Sequence, residues 1–532
     1  MKTKKIASVL GGLASLGMAA AAAPALAQGH VSAESMIRSK CLPCHMETDK
    51  GEFSRISKQR KTPEGWLMSI GRMQVAHGLQ ITDEERRLVV KYLADRQGLA
   101  PSETEGARYA LERRLNTVEK LESEQFTQMC ARCHSGARVL LQRRPAEEWE
   151  HLVHFHLGQF VTTEYQLFGR DRDWFGIALK EMVPQLAKAQ PLQTEAWQKW
   201  QARAPQTAVG EWTLSGHMTG RGGFAGVMKV AAGGDKDRYT VAFEGRWDDG
   251  SPMQGKGQAL VYTGYEWRAD LVIDGTPMRQ VFALQDGLLK GRMFRRDHDE
   301  VGADVAGSLQ RANSSHVIAV HPAYLKVGEE TELRIVGSGL SGDVKLPQGV
   351  RAIGAVKRSP TEVTVRVRAE RGAGGVHEVA VGAARGGRLA LYDSIAAVKV
   401  EPAFAVARIG GNGAPVSKVE GRFDAEAWAA GPDGKVGTAD DYRIGVVPAK
   451  WSVEPFDEAA VRDEDVKFAG LMDATSGVFV PGGAGPNPAR RMSANNVGNL
   501  KVVAEVQQGS GTLRGEGQLI VSPPRWNNPP IP

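Results

Sequence analysis

The 532-residue sequence has few of the features that would mark a nucleic-acid-binding or membrane protein. No basic run occurs, and the formal net charge of +6 falls to +3 when three lysines at the extreme N-terminus are set aside. A basic sequence pI of about 9.0 is therefore poor evidence for a nucleic-acid partner. Beyond residue 27 no apolar stretch is long enough to span a bilayer, so no membrane span is expected. Cysteine is scarce as well, with only four residues.

The N-terminal segment 1–27 has the pattern of a secretory signal. Lys2, Lys4 and Lys5 precede an apolar stretch, and an Ala-x-Ala sequence ends at Ala27. Such segments are removed on export, so we expect cleavage near Ala27 and a periplasmic mature protein. The whole sequence is 42% hydrophobic and 24% charged, which is typical of a soluble globular protein. Its length predicts roughly three to five domains.

The four cysteines occur as two C-x-x-C pairs, each followed by a histidine: "CLPCH" (Cys41, Cys44, His45) and "CARCH" (Cys130, Cys133, His134). C-x-x-C-H is the attachment signature of c-type haem, in which both thiols bond the haem vinyl groups and the histidine is the proximal iron ligand. Two vicinal disulfides or a split four-cysteine zinc site are alternatives, but neither explains a histidine after both pairs. The pattern predicts two covalently attached haems c.

Each haem iron also needs a sixth ligand or an open site, and an internal repeat suggests candidates. Aligning Trp66 with Trp149 matches "TPEGWLMSIGRMQVAH" to "RPAEEWEHLVHFHLGQF" and places Met73 opposite His156. Both lie on the apolar stripe of a predicted tryptophan-led helix, and the same stripe includes His77 in the first copy and Phe160 in the second. Thr82 with Glu85 predicts a capping box for a following helix. We favour Met73 and His156 as distal ligands. The rivals are His77 and Met68 in the first copy, and His151, His154 and Met182 in the second.

The chain after residue 205 has the short alternating runs and Gly- and Asp-rich turns of antiparallel β structure. The predicted fold class is therefore multidomain: an all-α dihaem cytochrome c domain followed by three all-β domains. We expect the cytochrome domain over 28–205, a β-barrel over 208–312, an immunoglobulin-like domain over 314–400 and a C-terminal β-sandwich over 401–532. The calcium-like loop at Asp433, Asp440 and Asp441 lacks EF-hand spacing, and "GRGGFAG" lacks a nucleotide-site context, so both are read as turns.

The combination of features resembles the α subunit of quinohemoprotein amine dehydrogenase over essentially the whole chain. The residues that carry the resemblance are "SKCLPCH", "QMCARCHSG", "EEWEHLVHFHLGQF" and "VGEWTLSGHMTGRGG". The resemblance implies a periplasmic heterotrimer in which a β-propeller subunit and a small subunit bearing cysteine tryptophylquinone accompany this chain. It further implies one haem with two histidine ligands and one with histidine and methionine.

The function implied by the resemblance is electron transfer within an oxidoreductase. The chain would not carry the amine site but would pass electrons from the quinone, through two haems, to an external cytochrome c or azurin-like copper protein. Two other functions stay open at this point. One is a self-contained dihaem enzyme, peroxidase-like or thiol-oxidising, which needs an open or displaceable iron site. The other is a dihaem electron wire whose β domains bind a surface partner.

Overall fold

The computed structural model describes residues 32–160, 172–311, 314–411, 416–490 and 495–524. The predicted secretory signal lies outside the described residues. None of the helices in the described ranges combines the length and the apolar character that a bilayer crossing requires. Helices dominate up to residue 201 and strands dominate after it, as the sequence predicted.

The N-terminal region consists of short helices separated by turns. Its α-helices are Ala33–Cys41, Pro63–His77, Asp83–Arg96, Pro101–Thr104, Arg108–Leu111, Glu124–Cys130, Ala137–Leu140, Ala146–Gln159, Trp174–Ile177, Val183–Ala189 and Glu195–Gln201, with a 3-10 turn at Glu105–Ala107 and a π segment at Ala178–Met182. The predicted capping box is confirmed, since Thr82 Oγ1 accepts from the Glu85 N–H and the Glu85 carboxylate accepts from the Thr82 N–H. Thr62 likewise caps the Pro63–His77 helix.

Two separate hydrophobic cores divide the helical region into two units, one for each C-x-x-C-H motif. The first core contains Trp66 and Ile70, and Cys41 packs against it. The second contains Trp149 and Val153, and Cys130 packs against it. The two tryptophans that aligned in sequence are thus the matching centres of two cores, at 3% and 1% exposure. We call these the first and second haem-motif units.

The two units meet at a two-stranded antiparallel sheet. Strand Arg60–Lys61 pairs with strand Gln142–Arg143, with Arg60 directly opposite Arg143. Arg60 and Arg143 are separated by the same spacing as Trp66 and Trp149, so residues at equivalent positions of the two copies face each other in this sheet. Glu103 lies between the two guanidiniums and binds Arg60 in a bidentate pair, with N–O distances of 2.8 Å, and Arg143 Nε at 3.2 Å.

The first all-β region is a closed eight-stranded antiparallel barrel, as predicted. Its strands are Gly210–Met218, Gly222–Ala232, Arg238–Trp247, Pro252–Tyr262, Glu266–Ile273, Thr276–Gln285, Leu288–Arg295 and Gly302–Leu309. Inward-facing side chains such as Trp212, Phe224 and Trp267 fill it, so the interior is a packed core. "GRGGFAG" forms a hairpin in which Met218 pairs with Gly222, which confirms its reading as a turn.

The barrel also anchors the first haem-motif unit. Glu266 is 1% exposed and accepts from Arg108 Nη1 at 2.7 Å and Arg268 Nη1 at 2.8 Å. Arg268 Nε donates in turn to Glu64, in the first turn of the Pro63–His77 helix, at 2.6 Å. Burial would raise the pKa of Glu266, but the charges of Arg268 and Arg108 outweigh it and lower that pKa overall. The helix that carries Met73 is therefore tied to the barrel through buried charges.

The next region consists of two groups of strands joined by a bridge between His316 and Arg385. Its strands are His316–His321, Tyr324–Lys326, Glu330–Ser338, Val344–Lys345, Val350–Ala352, Lys357–Arg358, Glu362–Ala369, Gly375–Val381 and Ala384–Tyr392. A core that includes Leu333, Val365 and Leu389 lies between the groups. This arrangement has two layers, and its immunoglobulin-like character stays a prediction.

The C-terminal region has three small sheets, and its β-sandwich character stays a prediction. Its strands are Ala397–Glu401, Phe404–Arg408, Gly421–Arg422, Asp424–Ala429, Tyr442–Val447, Lys450–Pro455, Gly470–Met472, Val478–Pro481, Gly498–Gln508 and Gly511–Ser522, with short helices at Glu458–Arg462 and Asp465–Phe468. In the acidic loop the carboxylates accept hydrogen bonds from the loop itself: Asp433 from the Lys435 N–H, Asp440 from the Asp433 N–H and Asp441 from the Gly437 N–H. The loop is held by its own turn hydrogen bonds.

Candidate haem-binding sites

The first C-x-x-C-H motif forms a tight turn at the end of a helix. Cys41 is the last residue of the Ala33–Cys41 helix, and its carbonyl accepts from the N–H groups of Cys44 and His45. His45 Nδ1 lies 2.9 Å from the Ser54 carbonyl oxygen. A carbonyl oxygen only accepts, so Nδ1 carries the proton and Nε2 keeps its lone pair for a metal. This is the tautomer that a proximal haem ligand needs.

The second motif repeats these features. Cys130 ends the Glu124–Cys130 helix, and His134 Nδ1 lies 3.0 Å from the Ser135 carbonyl oxygen. Burial raises the pKa of Cys130 to about 12, so this thiol is uncharged at neutral pH. Cys44 and Cys133 are exposed, while their partners are half-buried.

The two alternatives to haem attachment have no matching geometry in the structure. The cysteine pairs belong to different hydrophobic cores, and the described residues hold no group of three or more His, Cys, Asp or Glu side chains suited to a metal ion. A split four-cysteine zinc site would need both pairs around one ion. No disulfide links the two cysteines of either motif.

His156 faces His134 at a separation suited to an iron between them. The ring centroids lie 6.4 Å apart, with 42° between the planes. Two metal–imidazole bonds of about 2 Å, plus about 1 Å from each nitrogen to its ring centre, give a centroid separation of about 6 Å. His156 Nδ1 donates to the Leu152 carbonyl at 2.7 Å, so its Nε2 is also free. Burial lowers the pKa of His156, which favours the neutral, metal-binding form.

Aromatic side chains surround His156 and provide apolar walls for a flat ligand. The ring centroids of Phe155, Phe160 and Trp174 lie 6.0, 5.7 and 6.0 Å from that of His156. Trp174 is held by a hydrogen bond from its indole N–H to the Met129 carbonyl at 2.9 Å. Phe160 lies just beyond the helix that ends at Gln159 and is 43% exposed, so its predicted place on a buried stripe is wrong.

The rival candidates in the second unit have other surroundings. The side chains of His151 and His154 are 49% and 53% exposed. His151 lies 3.4 Å from Glu148, and His154 lies edge-on to Phe175. Met182 is 2% exposed and packs within the second core.

The candidates in the first unit lie along the Pro63–His77 helix. Met73 is half-buried in the last turn but one, and its carbonyl accepts from the N–H groups of Gly78 and Leu79 that close the helix. Met68 is 48% exposed. His77 is the last helical residue and is exposed, because Gly78 turns the chain with a φ of 70°. The buried stripe of this helix therefore stops short of His77.

Four family models match the chain in succession and together cover nearly all of it. Residues 31–197 match the haem-binding part of the quinohemoprotein amine dehydrogenase α subunit, described as "Quinohemoprotein amine dehydrogenase A, alpha subunit, haem binding". Residues 205–310, 314–393 and 398–531 match domains II, III and IV of the same subunit. The chain belongs to the quinohemoprotein amine dehydrogenase α-subunit family. The family is that of an amine dehydrogenase subunit, and its first domain binds haem.

Other comparisons add little to this family assignment. None of the curated proteins compared with the chain matches it significantly. A redesigned β-barrel bound to DFHBI is 20% identical over 21% of this chain and all of its own, with a TM-score of 0.18. Mouse clustered PcdhgC3 EC1-3 is 13% identical over 45% of this chain and 76% of its own, also with a TM-score of 0.18. Scores this low carry no weight for fold or function.

The sequence reasoning missed a set of cations at the junction of the two units. Arg55, Arg60 and Lys61 recur as Arg138, Arg143 and Arg144 at the Trp66–Trp149 spacing. Extending the repeat alignment a few residues upstream of the tryptophans would have found them. Glu103 binds Arg60 and Arg143. It lies between the two copies in the sequence, so the repeat does not indicate it.

Proposed function

We propose that this chain is the dihaem electron-transfer subunit of a periplasmic amine dehydrogenase complex. Haem c would be attached at Cys41 and Cys44 in the first unit and at Cys130 and Cys133 in the second. The small partner subunit would carry cysteine tryptophylquinone and oxidise the amine, with a β-propeller subunit completing the complex. Electrons would pass through the two haems to an external cytochrome c or azurin-like protein.

The observation that carries this proposal is the opposed pair His134 and His156. Both rings donate through Nδ1 to a carbonyl, and their 6.4 Å separation suits a single iron bound by the two Nε2 atoms. An iron with both axial positions filled is a centre for electron transfer rather than for oxygen activation. We assign Met73 as the distal ligand of the first haem because it occupies the repeat position of His156. Methionine ligation raises a haem potential relative to two histidines, so the two haems would differ.

The chain's own residues would orient the ligands and exclude water. Ser54 and Ser135 hold the proximal imidazoles through their carbonyls, which fixes the tautomer and increases ligand basicity. Leu152 does the same for His156. When bound, each haem supplies a one-electron redox centre.

The test is spectroscopy of the full chain matured with haem, alone and in its complex. We expect two covalent haems per chain, both low-spin in the oxidised EPR and visible spectra. Amine should reduce them in the three-subunit complex and not in the isolated chain. A high-spin haem with peroxidase or thiol-oxidising activity in the isolated chain would contradict the proposal and support a self-contained enzyme. Haems that stay oxidised with amine in the assembled complex would also contradict it.

A further inference from the structure

The hydrogen bond that orients His134 depends on the backbone immediately after the second motif. His134 Nδ1 donates to the carbonyl oxygen of Ser135, the next residue in the chain. In the first unit His45 donates instead to the carbonyl of Ser54, whose own N–H and hydroxyl pair with the backbone of Met46. Contacts to the motif's own backbone thus hold the first acceptor, whereas the second depends on what holds the turn after His134.

One carboxylate holds this turn by accepting from several donors. Glu119 Oε2 accepts from the Gly136 N–H at 2.8 Å, and Oε1 accepts from the Ala137 N–H at 3.2 Å. Oε1 also accepts from the Ser135 hydroxyl and from the Tyr109 hydroxyl, the latter at 2.6 Å. Glu119 therefore contacts each of the residues 135–137 that follow the second motif.

The Glu119 carboxylate is ionised at neutral pH. Burial would raise its pKa, but the hydrogen bonds from Ser135 and Tyr109 outweigh this effect and lower that pKa overall. Burial and the hydrogen bond to Glu119 raise the pKa of Tyr109 to about 12, so the phenol keeps its proton and donates. Hydrogen bonds to an ionised acceptor are roughly twice as strong as those between neutral groups. The charge of Glu119 therefore holds the turn more firmly than a neutral side chain would.

Packing brings the turn and the segment that carries Glu119 into close contact. A Cβ atom at Gly136 would lie 2.7 Å from the Leu121 side chain and 3.3 Å from the Phe126 ring, so the two segments approach closely at this glycine. Leu121 packs against the second core, and Ala137 is fully buried. The chain between the two units therefore reaches the residues just after Ser135, and Glu119 supplies the hydrogen bonds of this contact.

We propose that Glu119 is a positioning residue for the second haem: by fixing residues 135–137 it keeps the Ser135 carbonyl on His134 Nδ1. The inference rests on the proposed function, because it requires an iron bound by His134. A carbonyl that accepts from Nδ1 makes the imidazole a stronger donor to iron. A stronger donor stabilises the oxidised iron, and hydrogen bonding around an axial ligand is one means by which a protein sets a haem potential. Glu119 therefore lowers the potential of the second haem.

The test compares the midpoint potentials of Glu119→Gln holoprotein and the wild type. Glutamine has nearly the same shape, but its NH₂ group meets another donor, so at least one hydrogen bond to the turn is lost. We expect the potential of the bis-histidine haem to rise and that of the other haem to stay unchanged. In NMR spectra of the reduced holoprotein, the Gly136 and Ala137 amides and the His134 Nδ1 proton should exchange with deuterium about tenfold faster.

Two further variants separate positioning from the charge of Glu119. Glu119→Asp keeps the charge but is shorter by one methylene, so it should raise the same potential by less than Glu119→Gln does. Glu122→Gln removes an exposed carboxylate from the same segment and should leave the potential and the exchange rates unchanged. Wild-type potential and exchange in Glu119→Gln would overturn the proposal. An equal rise in Glu122→Gln, or a wild-type potential in Glu119→Asp, would overturn it too, since charge alone would then explain the result.

The wild-type spectrum separates this proposal from the proposed function. If the wild type holds two low-spin haems and Glu119→Gln changes neither potential nor exchange, only the positioning role is wrong. If the wild type holds no haem with two histidine ligands, the proposed function itself fails. Either result is visible before any amine is added.

Discussion

The two haem-motif units share a plan but differ at the positions that decide their chemistry. Each has a C-x-x-C-H turn at a helix end, a motif histidine hydrogen-bonded to a backbone carbonyl and a core that contains a buried tryptophan. In the second unit His156 faces His134 within an aromatic surround. In the first, the matching residue is Met73. Under the proposed function, one aligned position would carry two ligand types with different effects on potential.

The two units also differ in the contacts that their ligand-bearing helices make with the rest of the chain. The helix carrying Met73 is tied to the barrel through Glu64, Arg268 and Glu266, whereas the helix carrying His156 faces the first unit through Phe155 and Arg72. A duplicated unit can therefore acquire a different environment from its neighbours without changing its own plan. The predictions below test the parts of this comparison in order of expected effect.

The largest effect should come from removing the attachment cysteines of one unit. We expect Cys130→Ala with Cys133→Ala to lose one of two covalent haems, because no thiol remains to bond the second haem. Cys41→Ala with Cys44→Ala should lose the other. Haem absorbance per chain after denaturation measures this, and an unchanged haem content in either double variant would refute covalent attachment at that motif.

Exchanging the distal ligands should separate the two haems spectroscopically. Met73→Ala should abolish the weak near-infrared Met–iron charge-transfer band, while His156→Ala should retain it and produce a high-spin signal from the second haem. The physical reason is that each variant opens the sixth position of one iron only. Persistence of the band in Met73→Ala would refute that ligand assignment.

The carboxylate shared by the two units should matter for stability. Glu103→Gln is expected to lower the free energy of unfolding by about 4 kcal/mol, because it leaves Arg60 and Arg143 buried without their carboxylate. Denaturant titration of the holoprotein measures the loss. Glu195→Gln, on a nearby helix with a fully exposed ion pair to Lys199, is the control and should have no measurable effect. Equal effects of the two substitutions would show that the shared position of Glu103 is unimportant.

The barrel anchor should make the first unit sensitive to acid. The pKa of Glu266 is lowered in the folded state, so its contribution is complete above the ordinary glutamate pKa of about 4.3 and is lost as pH falls toward the lower folded value. Glu266→Gln should cost about 3 kcal/mol at neutral pH, less than Glu103→Gln because Arg268 keeps Glu64. Melting temperatures from pH 7 to pH 3 should then converge for wild type and variant. A constant difference across that range would contradict this assignment.

The smallest effects are expected at the exposed histidines of the second unit. His151→Ala and His154→Ala should leave the haem spectra unchanged and alter stability by no more than about 0.5 kcal/mol, since both side chains are half-exposed. A changed low-spin signal in either variant would transfer the ligand role away from His156.

Much of the fold could be predicted from local patterns. The capping box at Thr82, the tryptophan-led helices and the alternating strands of the barrel all depend on residues close in sequence, and each appears where it was expected. Errors occurred where a helix ended. His77 and Phe160 fit a periodic stripe, but Gly78 and the end of the Ala146–Gln159 helix place both in exposed positions. Periodicity alone does not show where a helix stops.

The sequence by itself determined the two C-x-x-C-H motifs, the repeat that relates them and the order of one helical and three β regions, because these depend on residue type and short spacing. The repeat favoured His156 over His151 and His154, but only the tertiary structure showed that its ring lies opposite His134, since this depends on how the helix packs. The tertiary structure also decided that Glu103 lies between Arg60 and Arg143. These contacts join residues that are distant in the chain. Local sequence does not indicate which distant group will pair with a buried charged side chain.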